Sequence, residues 1–152
     1  MVGRLNYFDT SYLVALVVEE QHSAKIAGFV ATLDTGSLVT SHWTFVEFGS
    51  MLAREVRKQA LTREDAIFLR DRFDQLIRGS FSLLVPTTDD YATATAYVGT
   101  FETGLRGPDA MHLAIAGNHN ATAILSLDKK MIKAGHLLGL PTSTGLPLPD
   151  YH

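Results

Sequence analysis

The 152-residue sequence contains no cysteine. This absence excludes disulfide bonds, thiolate metal sites and cysteine nucleophiles, and it is compatible with a reducing compartment. Long apolar runs are also missing, since none approaches the roughly 18 residues that would suggest a membrane span. Residues 1–6 lack the apolar region of a signal peptide. We therefore expect a cytoplasmic protein with no membrane partner.

The sequence signatures of several other protein classes are missing too. Neither a Gly-x-Gly-x-x-Gly motif nor a phosphate-loop motif occurs, which disfavours a nucleotide-binding Rossmann module. The 6 histidines include no pair at the helical spacing of a zinc protease, so a zinc site is not expected. With 13 Lys and Arg residues against 16 Asp and Glu residues, the net charge of −3 does not indicate a nucleic-acid-binding protein.

What is present fits one globular domain, with 46% hydrophobic and 19% charged residues. Short apolar runs alternate with segments whose apolar residues recur at helical spacing, which predicts an α/β fold with a mainly parallel sheet of four to five short strands, covered on both faces. Strands are predicted at residues 5–8, 37–40, 81–85 and 123–127, with a short last strand at 140–142. Helices are predicted at residues 10–19, 23–33, 44–59, 62–77, 88–103, 108–118 and 129–138.

Polar residues and composition predict where these elements begin and where the domain ends. Thr10 or Ser11 is placed to cap the first helix, and Thr62 to cap the fourth. Residues 1–142 are expected to form the domain. The Pro/Gly-rich residues 143–152 are expected to form a loosely held tail.

Four carboxylates at the ends of predicted elements are the most informative feature of the chain. Each lies beside an apolar run: Asp9, Glu47, Asp109 and Asp128. Desolvating a carboxylate is costly unless a cation or a hydrogen-bond donor compensates, and four that converged would repel one another. A hard divalent cation is the simplest compensation, because carboxylate and water oxygens suit magnesium or manganese. Metal-dependent phosphodiester chemistry is therefore the leading hypothesis.

Each acid also has a purely structural interpretation. Asp9 could cap the following helix, and Asp109 could complement a helix N-terminus. Glu47 could pair with Arg54 along one helix face, and Asp128 could start a turn. The metal hypothesis is favoured because it accounts for all four acids at once. It also agrees with the position of Asp9 and Asp128 directly after predicted strands, whose carboxyl ends meet at one edge of a parallel sheet.

The order and spacing of these acids resemble those of a known family. The motifs are Phe8-Asp9-Thr10-Ser11, Glu47 early in a helix, Gly107-Pro108-Asp109-Ala110 and Ser126-Leu127-Asp128. The pattern is similar to that of PIN-domain ribonucleases, in particular VapC-type toxins of bacterial toxin–antitoxin pairs, over nearly the whole chain.

The resemblance implies a compact three-layer α/β/α PIN-like domain that hydrolyses RNA with magnesium, or alternatively manganese, and an attacking water. It implies that Asp9 and Asp109 are the main metal ligands. Glu47 and Asp128 would bind a second ion or act through water.

Three further residues lie beside these acids. Ser11 matches a small hydroxyl position of the family, where it would orient a metal-bound water or phosphate, and Ser126 matches the polar residue before the last acid. For both serines, a cap or turn role is the alternative. His112 lies three residues after Asp109 on nearly the same helical face. A metal or general-base role is conceivable for His112, but we favour a hydrogen-bonded structural residue.

Basic residues near the acids are candidates for contacts with RNA phosphates. Arg54 and Lys58 share a helical stripe with Glu47, and Trp43 offers a base-stacking surface one turn earlier. We favour the structural interpretation, in which these residues form a solvated basic face and a packed tryptophan. The same ambiguity applies to Lys129, Lys130 and Lys133.

The resemblance also implies a small antitoxin partner. A compositional hint is the apolar excess of the helical pair at 44–77, which could form a groove for a partner helix or a homodimer contact, or could pack only on the sheet. The residues concerned are Trp43, Phe45, Phe48, Met51, Leu52, Phe68, Leu69, Phe73 and Leu76.

Other functions with acid clusters fit less well. A phosphatase with an Asp nucleophile usually needs a second Asp two residues on, where this chain has Ser11. A phosphoacceptor signalling domain needs an Asp at the third strand, where residues 83–86 offer none. A PIN-like nuclease outside a toxin–antitoxin pair, or a catalytically silent PIN-like binding scaffold, remains as the alternative.

Overall fold

A parallel sheet of five strands forms the centre of the molecule, in the order β3-β2-β1-β4-β5. The computed structural model describes residues 3–151. The strands are β1 (Asn6–Phe8), β2 (Leu38–Ser41), β3 (Ser82–Leu84), β4 (Ala123–Leu125) and β5 (Thr142–Ser143). The helices are α1 (Thr10–Val17), α2 (Ser23–Ala31), α3 (Trp43–Arg57), α4 (Arg63–Ser80), α5 (Thr88–Val98), α6 (Gly107–Asn118) and α7 (Lys129–Leu137).

Strand β1 shows that the sheet is covered on both faces. Successive side chains of a strand point to opposite faces, and here both faces are covered by helices. Phe8 lies in one core, with residues of α1 to α4, whereas Tyr7 lies in the other, with residues of α5, α6 and α7. Tyr7 pairs with Val39 on one side and Ile124 on the other. The predicted α/β/α layering with a parallel sheet is therefore confirmed.

Of the two helix caps named above, one is present in the structure. The Thr62 hydroxyl accepts from the Asp65 N–H at 3.0 Å, as predicted. The prediction that Thr10 or Ser11 caps α1 is wrong, because the Asp9 carboxylate occupies the N-cap and accepts from the backbone of the first turn. Both hydroxyl residues are thereby placed inside that turn, where their side chains can reach the groups around Asp9.

Helix α5 ends earlier than predicted. It stops at Val98, and a separate 3-10 turn covers Phe101–Thr103 before Gly104 adopts a positive φ of 65°. The polar and small residues between the two pieces allow a change of direction while apolar residues continue at near-helical spacing. Apolar spacing alone does not reveal such a break.

The expectation of a loosely held tail is wrong for residues 143–151. Leu148 is only 4% exposed, and the Tyr151 hydroxyl donates to the Leu127 carbonyl at 2.6 Å. Gly145 has a φ of 81°, and a Cβ there would lie 2.5 Å from the ring of Phe29. The glycine therefore serves a tight, packed turn. Ser143 itself belongs to β5, and residue 152 lies outside the described residues.

Of the helices between residues 3 and 151, none combines the length and the apolar character needed to span a bilayer.

Candidate active site

The candidate site lies at the carboxyl ends of β1, the central strand, and its neighbour β4. The chain order reverses here, because β2 and β3 extend the sheet on one side and β4 and β5 on the other. Ligands of open parallel sheets bind at such a point. Asp9 follows β1 directly, and Ser126 and Asp128 follow β4. The expectation that Asp9 and Asp128 share one edge is therefore confirmed.

Asp9 is a buried carboxylate surrounded by donors. It is 3% exposed. The Ser11 hydroxyl donates to Oδ1 at 2.7 Å, the Ser126 hydroxyl donates to Oδ2 at 2.5 Å, and a backbone N–H of α1 donates to Oδ1 at 3.0 Å. Burial raises the pKa of Asp9, while His112 and the two hydroxyls oppose this shift. Both predicted serines thus contact Asp9, and it also caps α1.

Glu47 is directed into the same region by α3. Its Oε1 accepts from the Thr10 hydroxyl at 2.7 Å and from Nε2 of His112. His112 is 1% exposed, and its Nδ1 lies 2.8 Å from the Tyr7 hydroxyl. The interpretation of His112 as a buried, hydrogen-bonded residue is confirmed. The suggested Glu47–Arg54 pair is wrong, because the Arg54 guanidinium lies 3.9 Å from Glu55 instead.

Asp109 and Asp128 are contributed by α6 and by the N-cap of α7. Asp109 lies in the first turn of α6 and is half-buried. Burial, followed by the charges of Asp128 and Asp9, raises the pKa of Asp109 to about 6. Asp128 caps α7 by accepting from the backbone N–H groups of Lys130 and Met131. The raised pKa shows that Asp109 experiences the fields of the other predicted acids.

The donor chemistry of this region fits a hard divalent ion, although the acids do not form a closed ligand set. Carboxylate and hydroxyl oxygens are the ligands that magnesium and manganese accept. Within residues 3–151, no three His, Asp or Glu side chains are gathered closely enough to hold a metal. Hydroxyls direct Asp9, an imidazole directs Glu47, and helix N–H groups direct Asp128. Metal ligation by the four acids stays a prediction.

Two grooves meet at Lys129, the residue after Asp128. The larger, of about 880 Å³, is bordered by Glu47, Arg54 and Lys129. The smaller, of about 460 Å³, shares Lys129 and Tyr151 with the first and continues along α7 to Lys133. The Lys129 ammonium lies 5.2 Å from the Tyr151 ring centroid. The tail thus forms part of the wall of both grooves.

The structure supports a solvated basic face and a packed tryptophan for the predicted stripe on α3. Arg54 and Lys58 both lie 3.9 Å from Glu55, on exposed side chains. The Trp43 indole N–H donates to the Pro108 carbonyl at 3.2 Å, so this tryptophan links α3 to α6. Its ring is half-buried and packs in the core.

Most of the apolar excess on α3 and α4 is core. Eight of the nine residues named above are buried or partly buried, and only Phe68, at 61% exposure, is mainly in solvent. Val46 and Ile67, which were not predicted, are exposed at 61% and 44%. The remaining apolar surface is therefore small.

A family model for the PIN domain matches residues 7–137. The chain belongs to the PIN domain family. No curated protein matches it. Solved structures of similar fold include FitAcB from Neisseria gonorrhoeae, at 17% identity and a TM-score of 0.72, covering 95% of this chain and 100% of that chain.

Two further structures resemble this PIN domain. VapC20 from Mycobacterium tuberculosis, described as a sarcin–ricin loop cleaving toxin, matches at 15% identity and a TM-score of 0.66, over 86% of this chain and 95% of that one. VapBC-1 from nontypeable Haemophilus influenzae matches at 16% identity and a TM-score of 0.65, over 93% and 98%. At these identities the likeness shows the fold.

Sequence reasoning missed three polar residues of this PIN-domain site. Thr10 was interpreted as a helix cap, Tyr7 as a strand residue and Tyr151 as part of a loose tail. A sequence signal exists for two of them, because Tyr7 and Thr10 flank Asp9 at positions −2 and +1. Tyr151 reaches Leu127 across 24 residues of sequence, and no local pattern indicates that contact.

Proposed function

We propose that this PIN domain is a metal-dependent endoribonuclease that hydrolyses RNA phosphodiester bonds with water as the nucleophile and magnesium or manganese as cofactor. The observation that carries the proposal is the buried Asp9 carboxylate at the carboxyl end of β1, bound by Ser126 of the segment that leads to Asp128, with Glu47 bound to the neighbouring Thr10 hydroxyl. Membership of the PIN family supports the same reaction class.

The chain supplies ligands and the groups that hold them. Asp9 and Asp109 are the proposed main ligands, with Glu47 and Asp128 beside them. When bound, a divalent ion would acidify an attacking water and offset charge on the phosphoryl oxygens. Ser11 fixes one oxygen of Asp9, which agrees with its proposed place in the catalytic group.

The basic groove along α7 is the proposed path for the RNA strand. It begins at Lys129, the residue after Asp128, and contains Lys133 and His136 together with one acid, Asp150. Flanking phosphates need cations near the acids, because the acids themselves repel a polyanion. Tyr151 borders both grooves and offers an aromatic surface for a base.

We further propose that the protein is the toxin of a toxin–antitoxin pair. Support comes from its fold similarity to VapC20, FitAcB and VapBC-1. A small antitoxin would bind the larger groove, where exposed Val46 lies beside Met51 and Arg54. Exposed Phe68 and Ile67 are the proposed contribution of α4 to a homodimer contact. The cytoplasmic location stays a prediction.

The test is RNA hydrolysis by the purified protein and its Asp9→Asn variant, with structured RNAs in magnesium, manganese or EDTA. We expect metal-dependent internal cleavage by the wild type only, because the amide retains the shape of Asp9 but removes the charge that a hard cation needs. Equal cleavage by the variant, at unchanged circular dichroism, would remove Asp9 from the site. No cleavage by a metal-loaded wild type would favour a silent scaffold.

A further inference from the structure

A chain of buried hydrogen bonds runs from β2 through the core to Glu47. The Ser41 hydroxyl lies 2.9 Å from the Tyr7 hydroxyl, and the Tyr7 hydroxyl lies 2.8 Å from Nδ1 of His112. On the other side of the imidazole ring, Nε2 contacts Oε1 of Glu47. Ser41, Tyr7 and His112 are at most 1% exposed, whereas the Glu47 side chain is 22% exposed. The chain therefore links the interior to the groove.

The numbers of donors and acceptors show which group donates in each of these hydrogen bonds. A carboxylate only accepts, so Nε2 of His112 carries the proton that points to Glu47. In the neutral imidazole, Nδ1 then accepts, and the Tyr7 hydroxyl donates to it. A tyrosine hydroxyl ordinarily keeps its proton near neutral pH, so Tyr7 can donate. Thr10 fits the same order, since its hydroxyl donates to Glu47 and its oxygen lies 3.2 Å from Nε2.

This arrangement anchors Glu47 through one oxygen. Both donors, His112 and Thr10, reach Oε1. Within residues 3–151 the structure shows no side-chain or backbone hydrogen bond to Oε2, and Glu47 borders the larger groove. One oxygen is thus fixed, and the other is available to a ligand in the groove.

We propose that Tyr7 is a positioning residue, whose hydroxyl fixes the tautomer and orientation of His112 so that His112 holds Glu47 with Oε2 directed at a divalent cation. The presence of this cation depends on the proposed function. Phenylalanine would fill the same space in the core, so the hydroxyl alone carries the role. Without it, Nδ1 would be a buried acceptor with no donor, which is costly.

Loss of the hydroxyl has a defined consequence for Glu47. If the ring proton moves to Nδ1, the bare Nε2 faces a carboxylate oxygen and repels it. If the ring instead rotates to find a donor, its contact with Glu47 is lost. Either change leaves Thr10 as the remaining donor to Oε1, so the Glu47 carboxylate is held less firmly. Removing an outer partner of a metal ligand typically costs about 10- to 100-fold in metal affinity.

The test compares two tyrosine-to-phenylalanine variants. Tyr7→Phe removes the tyrosine hydroxyl that connects Ser41 to His112 in the series of buried hydrogen bonds. The control, Tyr12→Phe, removes the hydroxyl of another core tyrosine, which donates to the Thr144 carbonyl at 2.7 Å. Two quantities are measured in the full chain: Mn²⁺ affinity by calorimetry, and the ¹⁵N chemical shifts of the His112 ring by NMR in the metal-free protein.

We expect the wild type and Tyr12→Phe to show a His112 ring that is protonated at Nε2. Tyr7→Phe is expected to change the His112 ring shifts and to weaken Mn²⁺ binding by about 10-fold or more. Its melting temperature should fall about as much as that of the control Tyr12→Phe. The proposal is overturned if both Tyr variants show wild-type His112 shifts, or if the wild-type ring is protonated at Nδ1 only.

A second pair of variants covers the case in which Tyr7→Phe does not fold. His112→Gln retains an N–H donor that can reach Glu47, whereas His112→Leu does not. We expect the Gln variant to bind Mn²⁺ more tightly than the Leu variant, and equal affinities would contradict the anchoring role. If the wild type binds no Mn²⁺, the proposed function fails, while the NMR comparison still decides the role of Tyr7.

Discussion

The Asp109→Asn variant is expected to lose RNA cleavage while its fold becomes more stable at neutral pH. Removing a ligand carboxylate takes away several kcal/mol of charge stabilisation in the transition state, so we expect a loss of about 1000-fold. The same carboxylate is unfavourable for folding, because burial and the charges of Asp128 and Asp9 raise its pKa to about 6. A residue that lowers stability where it stands is typical of a functional site.

The pH dependence of this stability gain has a defined sign. The pKa of Asp109 is raised in the folded state from the ordinary value of 3.8 to about 6. The folded state therefore binds the proton more tightly, and wild-type stability falls as the pH rises from about 4 to about 6. Asparagine has no such loss. Its advantage should be small near pH 4 and complete above about pH 6.5, at about 1 kcal/mol after allowance for solvent screening.

The measurement is thermal unfolding in EDTA between pH 4 and pH 8, with cleavage assayed separately in magnesium. About 1 kcal/mol corresponds to a melting-temperature rise of about 2–4 °C for a domain of this size. Asp89→Asn is the matched control, because Asp89 also lies in the first turn of a helix but is exposed. It should lose a little stability and retain cleavage. A destabilised Asp109→Asn variant, or one with wild-type cleavage, would contradict this account of Asp109.

Growth arrest is the second large effect that we expect. Induction of the chain alone in a bacterial host should stop growth, because an unopposed endoribonuclease destroys RNA. The Asp9→Asn form should express to the same level and allow normal growth. Co-expression of a small reading frame encoded beside the gene should restore growth to the wild-type form.

Colony counts and protein levels after induction check this prediction, with Asp89→Asn as an active control. Normal growth at full expression of the wild type, together with no neutralising neighbour and a monomeric protein in solution, would remove the toxin proposal. The nuclease proposal would survive that result, because RNA hydrolysis is measured separately on the purified protein.

The layered fold could be predicted because burial on both faces leaves a clear pattern. Asp9 follows β1 directly and Asp128 comes three residues after β4, and the carboxyl ends of parallel strands meet at one edge. Asp9 and Asp128 therefore came together as expected. Helix ends were harder to predict. Apolar residues keep a near-helical spacing from α5 into the 3-10 turn at Phe101–Thr103, so the spacing does not show where α5 ends.

The hydrogen-bond partners of the acids could not be predicted, because they depend on contacts between distant segments. Tyr7 and His112 are separated by 105 positions, and Ser126 and Asp9 by 117. In a strand buried on both sides, a tyrosine and a phenylalanine look equally suited to the core. Only the fold shows that the Tyr7 hydroxyl faces an imidazole.

The prediction of a loosely held tail failed for a related reason. Composition marks Pro/Gly-rich residues 143–152 as mobile, yet Gly145 permits a turn that packs against Phe29. Likewise, a count of apolar residues on two helices does not show how many the sheet covers. Phe48 and Phe73 stack on each other in the core, with ring centroids 4.1 Å apart.

The central claim is that acids at the carboxyl ends of β1 and β4 hold a divalent cation. Its most direct test is Mn²⁺ titration by electron paramagnetic resonance on four proteins: the wild type, Asp9→Asn, Asp109→Asn and the control Asp89→Asn. We predict saturable Mn²⁺ binding by the wild type and the control, and its loss in the other two variants. Equal binding by all four proteins, or none by the wild type, would contradict the claim.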